Sequence, residues 1–125
     1  MTNINYLHLN LLELNYVNYF DNIVSFETIE HLNENDIPTL LKNYCQALKP
    51  NGKLIFSTPF LQEKSKEAIK MGFHLTFDID ENKIVKWLSD AGFEIESFNY
   101  QSYITHTVEK IRESKDFIIC VANKK

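Results

Sequence analysis

Two carboxylates and an imidazole lie close together in the first third of this sequence, at Glu27, Glu30 and His31. Their spacing of three and four residues would put all three side chains on one face of a helix. Carboxylate oxygens and an imidazole nitrogen can together bind a divalent cation such as Mg²⁺. A fourth ligand would have to come from elsewhere, and His74 follows the next strand that the sequence predicts. The pattern therefore predicts a divalent-metal site formed by Glu27, Glu30, His31 and His74.

The same residues allow two other interpretations. His31 or His74 could instead remove a proton from a hydroxyl group, because imidazole is the commonest general base in enzymes. Alternatively, His31 could have a structural role, capping the helix or forming hydrogen bonds within it. The sequence alone leaves metal ligation, base catalysis and a structural role open.

Two predicted strands would position these residues. Residues 20–26 form an apolar, β-branched and aromatic run, which indicates a buried strand. Residues 53–58 predict a second strand, after Pro50, Asn51 and Gly52, which are typical of a helix end and a tight turn. Since neighbouring parallel strands end at the same edge of a sheet, the residues that follow them would border one crevice.

The rest of the chain alternates between helices and strands. Apolar residues at helical spacing predict one helix between Asp36 and the Pro50 turn, and another between Asp80 and Gly92. Apolar runs predict three further strands, at residues 4–9, 93–100 and 117–122. The last two lack a long helical connection, so we expect them to pair as an antiparallel hairpin. The order of elements predicts an α/β fold with a mostly parallel sheet flanked by helices.

Composition excludes several classes of protein. A formal net charge of −4 argues against binding nucleic acid through the charge of the whole chain. Cys45 and Cys120 are too few for a disulfide scaffold or a thiolate zinc cluster. No apolar run reaches the roughly 18 residues of a membrane span, and no N-terminal targeting pattern occurs. We therefore expect a soluble, cytoplasmic protein without a membrane partner, whose 125 residues fit one domain.

Three segments resemble a known family. They are FDNIVSFETIEHL at residues 20–32, LKPNGKLIFSTP at residues 48–59 and HLTFDIDENKIVKWLSDAGFEIESF at residues 74–98. In this order they resemble the fourth strand, the fifth strand and the following helix–strand unit of class I S-adenosylmethionine-dependent methyltransferases. The resemblance implies a Rossmann-like sheet, S-adenosylmethionine as the cofactor, and methyl transfer as the reaction.

The front half of that fold has no counterpart in this sequence. In the family, the first strand ends in a glycine-rich loop that holds the cofactor, but here only Gly52, Gly72 and Gly92 occur. The resemblance thus implies a partial sheet that lacks the first two strands, mostly parallel with an antiparallel C-terminal strand. Residues 1–125 would be a single incomplete methyltransferase domain, the C-terminal portion of the fold. A missing N-terminal half or a homodimer partner could complete the sheet.

The resemblance also assigns residues to the cofactor. Ser25, Phe26 and Glu27 lie in the first of these segments, where the fourth strand ends, and would line the cofactor side of the crevice. Asn10 falls where the third-strand loop of the family often carries an aspartate near the adenine. These four residues are the expected cofactor contacts.

The acceptor side follows from the Glu-x-x-Glu-His pattern. With a later histidine, it is similar to metal-dependent members that methylate oxygen atoms of small molecules or of the terminal ribose of RNA. There, a Mg²⁺-like ion orients the acceptor hydroxyls and lowers the pKa of the attacking one. The resemblance implies that Glu30, His31 and His74 face the acceptor, with His31 and His74 as the catalytic candidates.

A second class of function stays open, because the glycine loop is absent. The chain could be a non-catalytic remnant or an interaction module that pairs through the exposed edge at residues 20–26. Whether it is an enzyme is therefore undecided at this level. Binding of S-adenosylhomocysteine would favour the enzyme, and the absence of binding together with dimerisation would favour the module.

Overall fold

A computed structural model of the chain describes residues 3–60, 75–76, 78–113 and 115–125. These residues form two helices and one five-stranded sheet, so the predicted α/β class is confirmed. The helices are α1 (Ile37–Ala47) and α2 (Glu81–Ala91). The strands are β1 (Phe20–Phe26), β2 (Leu48–Pro59), β3 (Phe93–Gln101), β4 (Val108–Glu109) and β5 (Phe117–Lys124). Short 3₁₀ turns cover Leu11–Glu13, Ile29–His31 and Glu34–Asp36.

The order of strands across the sheet is β1-β2-β5-β3-β4. β1 pairs with β2 in parallel, and β5 pairs antiparallel with both β2 and β3. The three strands β1, β2 and β3 therefore point the same way, while β5 lies between two of them and points the opposite way. This confirms the partial Rossmann-like sheet and the antiparallel pairing of the last two predicted strands. Among the described strands only the β1–β2 ladder is parallel, so the sheet is mixed.

The sequence signals bound α2 but not the end of α1. Asp80 Oδ1 accepts a hydrogen bond of 2.9 Å from the amide of Lys83, which caps α2. Gly92 ends the same helix with a φ of 101°. α1 ends earlier than expected, at Ala47, and residues 50–52 belong to β2 and not to a separate turn, with a φ of 67° at Asn51. Asp36 precedes α1 without a side-chain cap bond to the described residues. None of the described helices has the length and apolar character needed to cross a membrane.

The hydrophobic core lies between the two helices and one face of the sheet. In β2, Leu54 and Phe56 belong to this core and are at most 1% exposed. In β1, Val24 and Phe26 point to the opposite face and are 57% and 58% exposed. Successive side chains of a strand point to opposite faces, so this difference identifies one covered and one open face of the sheet. Within the described residues, no helix covers the open face.

Residues 4–9 do not form the predicted strand. Their side chains alternate as a strand requires, but within the described part of the chain no ladder pairs them with a neighbour. A strand is stable only when its amides and carbonyls are hydrogen-bonded to an adjacent strand. The prediction was wrong because the alternation of side chains shows only which residues could form a strand. It does not show whether a neighbouring strand is available to pair with them.

Candidate active site

The carboxyl ends of β1 and β2 meet at one edge of the sheet. Phe26 pairs with Ser57 in the parallel ladder, and the amide of Glu27 donates a hydrogen bond of 2.8 Å to the Ser57 carbonyl. Glu27 is exposed and has a φ of 53°, a left-handed conformation that costs a non-glycine residue roughly 1–2 kcal/mol. Such strain is often retained at functional sites, where it fixes the direction of a side chain.

A depression of about 200 Å³ opens at this edge. Its lining residues come from four different strands or strand ends, namely Phe26, Glu27, Ser57, Gln101 and Ile119. Two apolar side chains and three polar ones therefore surround a space that suits a small polar ligand. The structure thus brings together two of the predicted cofactor residues, Phe26 and Glu27.

Sequence reasoning missed Gln101 and Ile119 as lining residues. Gln101 directly follows the strand predicted at residues 93–100, but the sequence does not show that this strand ends beside β1 and β2. Ile119 lies inside β5, within a predicted strand and not after one. Ile119 pairs with Ser57 because β5 is inserted beside β2. That insertion depends on the whole sheet, and no local motif in the sequence indicates it.

Glu30 is buried against β2. Thr58 Oγ1 donates a hydrogen bond of 3.0 Å to Glu30 Oε1, and the Glu30 side chain is only 2% exposed. Burial raises the pKa of Glu30, while hydrogen bonds from its own backbone and from Thr58 act in the opposite direction. The Glu30 carbonyl also accepts hydrogen bonds from the amides of Leu75 and Thr76. Glu30 therefore links the turn after β1 to two other segments, which is a structural role for this side chain.

His31 is half exposed, and its Nε2 lies 3.6 Å from Glu30 Oε2. It ends a 3₁₀ turn of three residues, and Glu27 precedes that turn with a positive φ. The shared helical face predicted for Glu27, Glu30 and His31 is therefore wrong, because the segment is not an α-helix.

The metal prediction gains no support from the geometry. In the part of the chain that the structure describes, no group of three or more His, Cys, Asp or Glu side chains could hold a metal ion. His74, the predicted fourth ligand and second catalytic candidate, lies outside the described residues. The Glu30 carboxylate already accepts a hydrogen bond from Thr58 in a buried position. The described residues alone therefore do not form the predicted metal site, and the set that includes His74 stays a prediction.

Ser25 and Asn10, the other predicted cofactor residues, form local contacts. The hydroxyl of Ser25 lies 3.0 Å from that of Tyr44 in α1, and burial raises the pKa of Tyr44. Asn10 Oδ1 accepts a hydrogen bond of 3.0 Å from the amide of Leu12 and caps the first 3₁₀ turn. The structure accounts for both side chains without a cofactor, and their role in binding one stays a prediction.

A family model described as a methyltransferase domain matches residues 7–97, well over half of the chain. The chain belongs to this methyltransferase family. The predicted class I S-adenosylmethionine-dependent methyltransferase is thereby confirmed at the level of family and fold. A comparison of this methyltransferase with curated proteins gives no significant match.

Solved structures share the methyltransferase fold at low sequence identity. An S-adenosylmethionine-dependent methyltransferase from Mesorhizobium loti superposes with a TM-score of 0.75 and 16% identity, over 98% of this chain and 71% of its own. A possible histamine N-methyltransferase from Thermotoga maritima gives 0.74 and 19%, over 95% and 63%. The 1,6-didemethyltoxoflavin-N1-methyltransferase of Burkholderia thailandensis, with bound S-adenosylhomocysteine, gives 0.69 and 15%, over 94% and 49%.

This methyltransferase chain is shorter than its structural relatives. It spans 42%, 63% and 36% of the first three solved chains that it matches. The likeness establishes the fold of these residues, and the activity of a whole protein is therefore treated below as a proposal.

Proposed function

We propose that this methyltransferase domain takes part in an S-adenosylmethionine-dependent methyl transfer to an oxygen atom of a small molecule or of an RNA ribose. The observation that carries the proposal is the family match over residues 7–97. The polar depression where β1 and β2 end supports it, since ligands of α/β folds bind outside the carboxyl ends of strands. Methyl transfer depends chiefly on holding donor and acceptor in line, which a shaped crevice achieves.

Each residue at the crevice has a part in the proposed reaction. S-adenosylmethionine, when bound, supplies the electrophilic methyl group. The Glu27 carboxylate accepts hydrogen bonds from hydroxyl groups of a ligand, and Ser57 and Gln101 offer further donors and acceptors. Phe26 and Ile119 form apolar walls that exclude water from the reacting atoms.

His31 is the proposed general base. Its half-exposed imidazole lies in the 3₁₀ turn that follows β1, and the neighbouring Glu30 carboxylate stabilises the charge that the ring gains with a proton. Glu30 therefore acts as a positioning residue, buried in the same turn as His31. No metal ion is needed for this division of roles.

Isothermal titration of S-adenosylhomocysteine into the 125-residue chain tests the proposal. We expect saturable binding that Glu27→Ala weakens by about tenfold, equivalent to about 1.4 kcal/mol. Glu94→Ala is the matched control, because Glu94 is exposed near the start of β3, at the other end of the sheet. Absence of heat from a chain that circular dichroism shows to be folded would refute cofactor binding. Equal affinities of the Glu27 and Glu94 variants would refute the site.

A transfer assay with radiolabelled S-adenosylmethionine tests the acceptor atom. Catechols, RNA with free 3′ ends and primary amines are offered separately, with and without His31→Gln. We expect label in hydroxyl acceptors and a lower rate in the variant. Label in amines alone would overturn the assignment to oxygen.

An interaction module remains a second candidate function. One observation favours it, the unpaired outer edge of β1 in the described part of the sheet. Failure to bind S-adenosylhomocysteine together with self-association would favour this candidate.

A further inference from the structure

The outer edge of β1 ends the sheet. This seven-residue strand pairs on one side with β2, and within the described residues nothing pairs with its other side. A free edge presents a row of amides and carbonyls that can accept another strand. The edge is therefore able to add a strand without any change in the rest of the sheet.

An apolar groove of about 440 Å³ runs along this edge. β1 forms one wall of the groove. Ser25 lines it on the face of the sheet that the helices cover, and Val24 and Phe26 line it on the open face. The other wall includes Leu7 and Leu9 of the N-terminal segment. The described residues that line the groove include no charged side chain. The groove thus suits an extended, uncharged and largely apolar segment.

Exposed apolar side chains are concentrated beside this groove. Of the fourteen large hydrophobic residues that are exposed in the described part of the chain, eight lie between residues 4 and 26. They are Ile4, Tyr6, Leu7, Leu9, Val17, Tyr19, Val24 and Phe26. Four of these eight, Leu7, Leu9, Val24 and Phe26, line the groove itself, and exposed apolar surface around a groove is typical of an interaction site.

One strand-like segment has no backbone partner among the described residues. Leu7, Leu9 and Leu11 alternate with His8 and Asn10, which is the side-chain period of a strand. Residues 3–9 form no backbone hydrogen bond with other described residues, and Leu7 and Leu9 are 67% and 49% exposed. The described part of the molecule therefore carries both an unpaired edge and an unpaired segment suited to it, with the groove between them.

We propose that a second copy of this chain occupies the groove, with residues 4–9 of each copy adding to β1 of the other. The exchange is reciprocal, so it closes into a dimer with two-fold symmetry. It gives the amides and carbonyls of both segments hydrogen-bond partners, and it covers Val24 and Phe26. Residues 4–9 contain no Asp, Glu, Lys or Arg, so an uncharged segment would enter an uncharged groove.

Pairing of β1 with β1 of the second copy is unfavourable in the register centred on Val24. That antiparallel pair would place Asp21 opposite Glu27 on both sides, and like charges directly opposite are destabilising. Both carboxylates are exposed; Asp21 is the second residue of β1, and Glu27 directly follows the strand. The exchanged segment contains no charged residue and avoids this repulsion.

The mass of the chain in solution, measured by light scattering over a wide range of concentration, tests the dimer. We expect a dimer that dissociates on dilution, and a monomer at every concentration for the double variant Leu7→Asp, Leu9→Asp. The control is Ile104→Asp, Ile111→Asp, which alters equally exposed residues outside the groove and should stay dimeric. A wild-type monomer at all concentrations overturns the proposal, as does loss of the dimer in both variants.

Cross-linking between two single-cysteine variants tests the arrangement. Leu9→Cys is mixed with Val24→Cys in the presence of oxidised glutathione, and Cys45 and Cys120 are buried and so protected from it. We expect a disulfide-linked heterodimer, and none when Ile104→Cys replaces Leu9→Cys. A covalent dimer formed by Val24→Cys alone, without the heterodimer, would show edge-to-edge pairing and refute the exchange.

Discussion

Two neighbouring strands of this sheet, β1 and β2, both carry large apolar side chains, and these differ in burial. Leu54 and Phe56 of β2 are fully buried under α1 and α2, whereas Val24 and Phe26 of β1 are more than half exposed. The strands share one ladder, so backbone pairing does not explain the difference. It arises because the helices cover one face only, and β1 exposes its apolar side chains on the other. An apolar strand thus indicates that its side chains need other apolar residues packed over them. It does not indicate that the same chain supplies those residues.

Truncating one phenylalanine in each of the two strands gives the largest expected difference in stability. Phe56→Ala leaves a cavity in the core and should lower the free energy of unfolding by about 3–5 kcal/mol. Phe26→Ala removes a mostly exposed ring and should cost less than about 1 kcal/mol in the monomer. Urea unfolding at a concentration where the chain is monomeric measures both. Equal losses would show that Phe26 is covered after all.

Gly52 tests the junction between the two strands. A Cβ at this position would lie 2.8 Å from the Lys49 carbonyl oxygen and 2.9 Å from that of Asp21. Both are backbone atoms, so Gly52→Ala must displace the start of β1 from β2 and should cost about 1–3 kcal/mol. Asn22→Ala, an exposed change beside Asp21, is the control for the urea measurement. If both variants have wild-type stability, the close approach at the junction is not rigid.

The two helices that pack on the sheet differ in how they are capped, and a substitution at one aspartate before each helix tests this difference. Asp80→Ala removes the hydrogen bond to the Lys83 amide and should destabilise the protein by about 1 kcal/mol. Asp36→Ala should have a smaller effect, because Asp36 forms no side-chain cap bond to the described residues. Thermal unfolding compares the two variants. A larger loss at Asp36 would contradict the geometry at the start of α1.

Glu30 gives the smallest effect, visible as a dependence on pH. The ordinary pKa is 4.5, and burial raises the pKa of Glu30 in the folded state. As the pH rises above 4.5, the unfolded chain releases this proton first, so the free energy of unfolding falls until the pH passes the folded pKa.

Glu30→Gln should remove this part of the pH dependence, and Glu94→Gln, at an exposed site, should leave it unchanged. Urea midpoints measured from pH 4.5 upward test both variants. A wild-type protein whose stability rises relative to the Glu30 variant over this range would show that the hydrogen bond from Thr58 outweighs burial.

Elements with local signals could be predicted from the sequence. Asp80 and Gly92 bound α2 as expected, because a cap and a positive φ depend on adjacent residues. The segment at residues 4–9 could not be predicted correctly, since a strand also depends on a distant neighbour.

The candidate site follows the same rule. Phe26 and Glu27 could be predicted because they lie at the end of a strand that resembles the family's fourth, whereas Gln101 joins them only through the way β5 orders the sheet. The helical face that was to join Glu27 to His31 could not be checked from spacing alone. Glu27 has a positive φ and only Ile29–His31 form a 3₁₀ turn, and the spacing of side chains contains neither fact.

The position of β5 has a consequence for synthesis on the ribosome. β2 and β3 form no ladder with each other in the described sheet, and both pair with residues 117–124. These residues are synthesised after β2 and β3, so β3 cannot join the growing sheet until residues 117–124 have left the ribosome. Pairings between distant residues form slowly, and a nascent chain with uncovered apolar faces is prone to aggregate. We therefore expect the sheet to close only once β5 is available, and the shorter nascent chain to be the form most prone to aggregate.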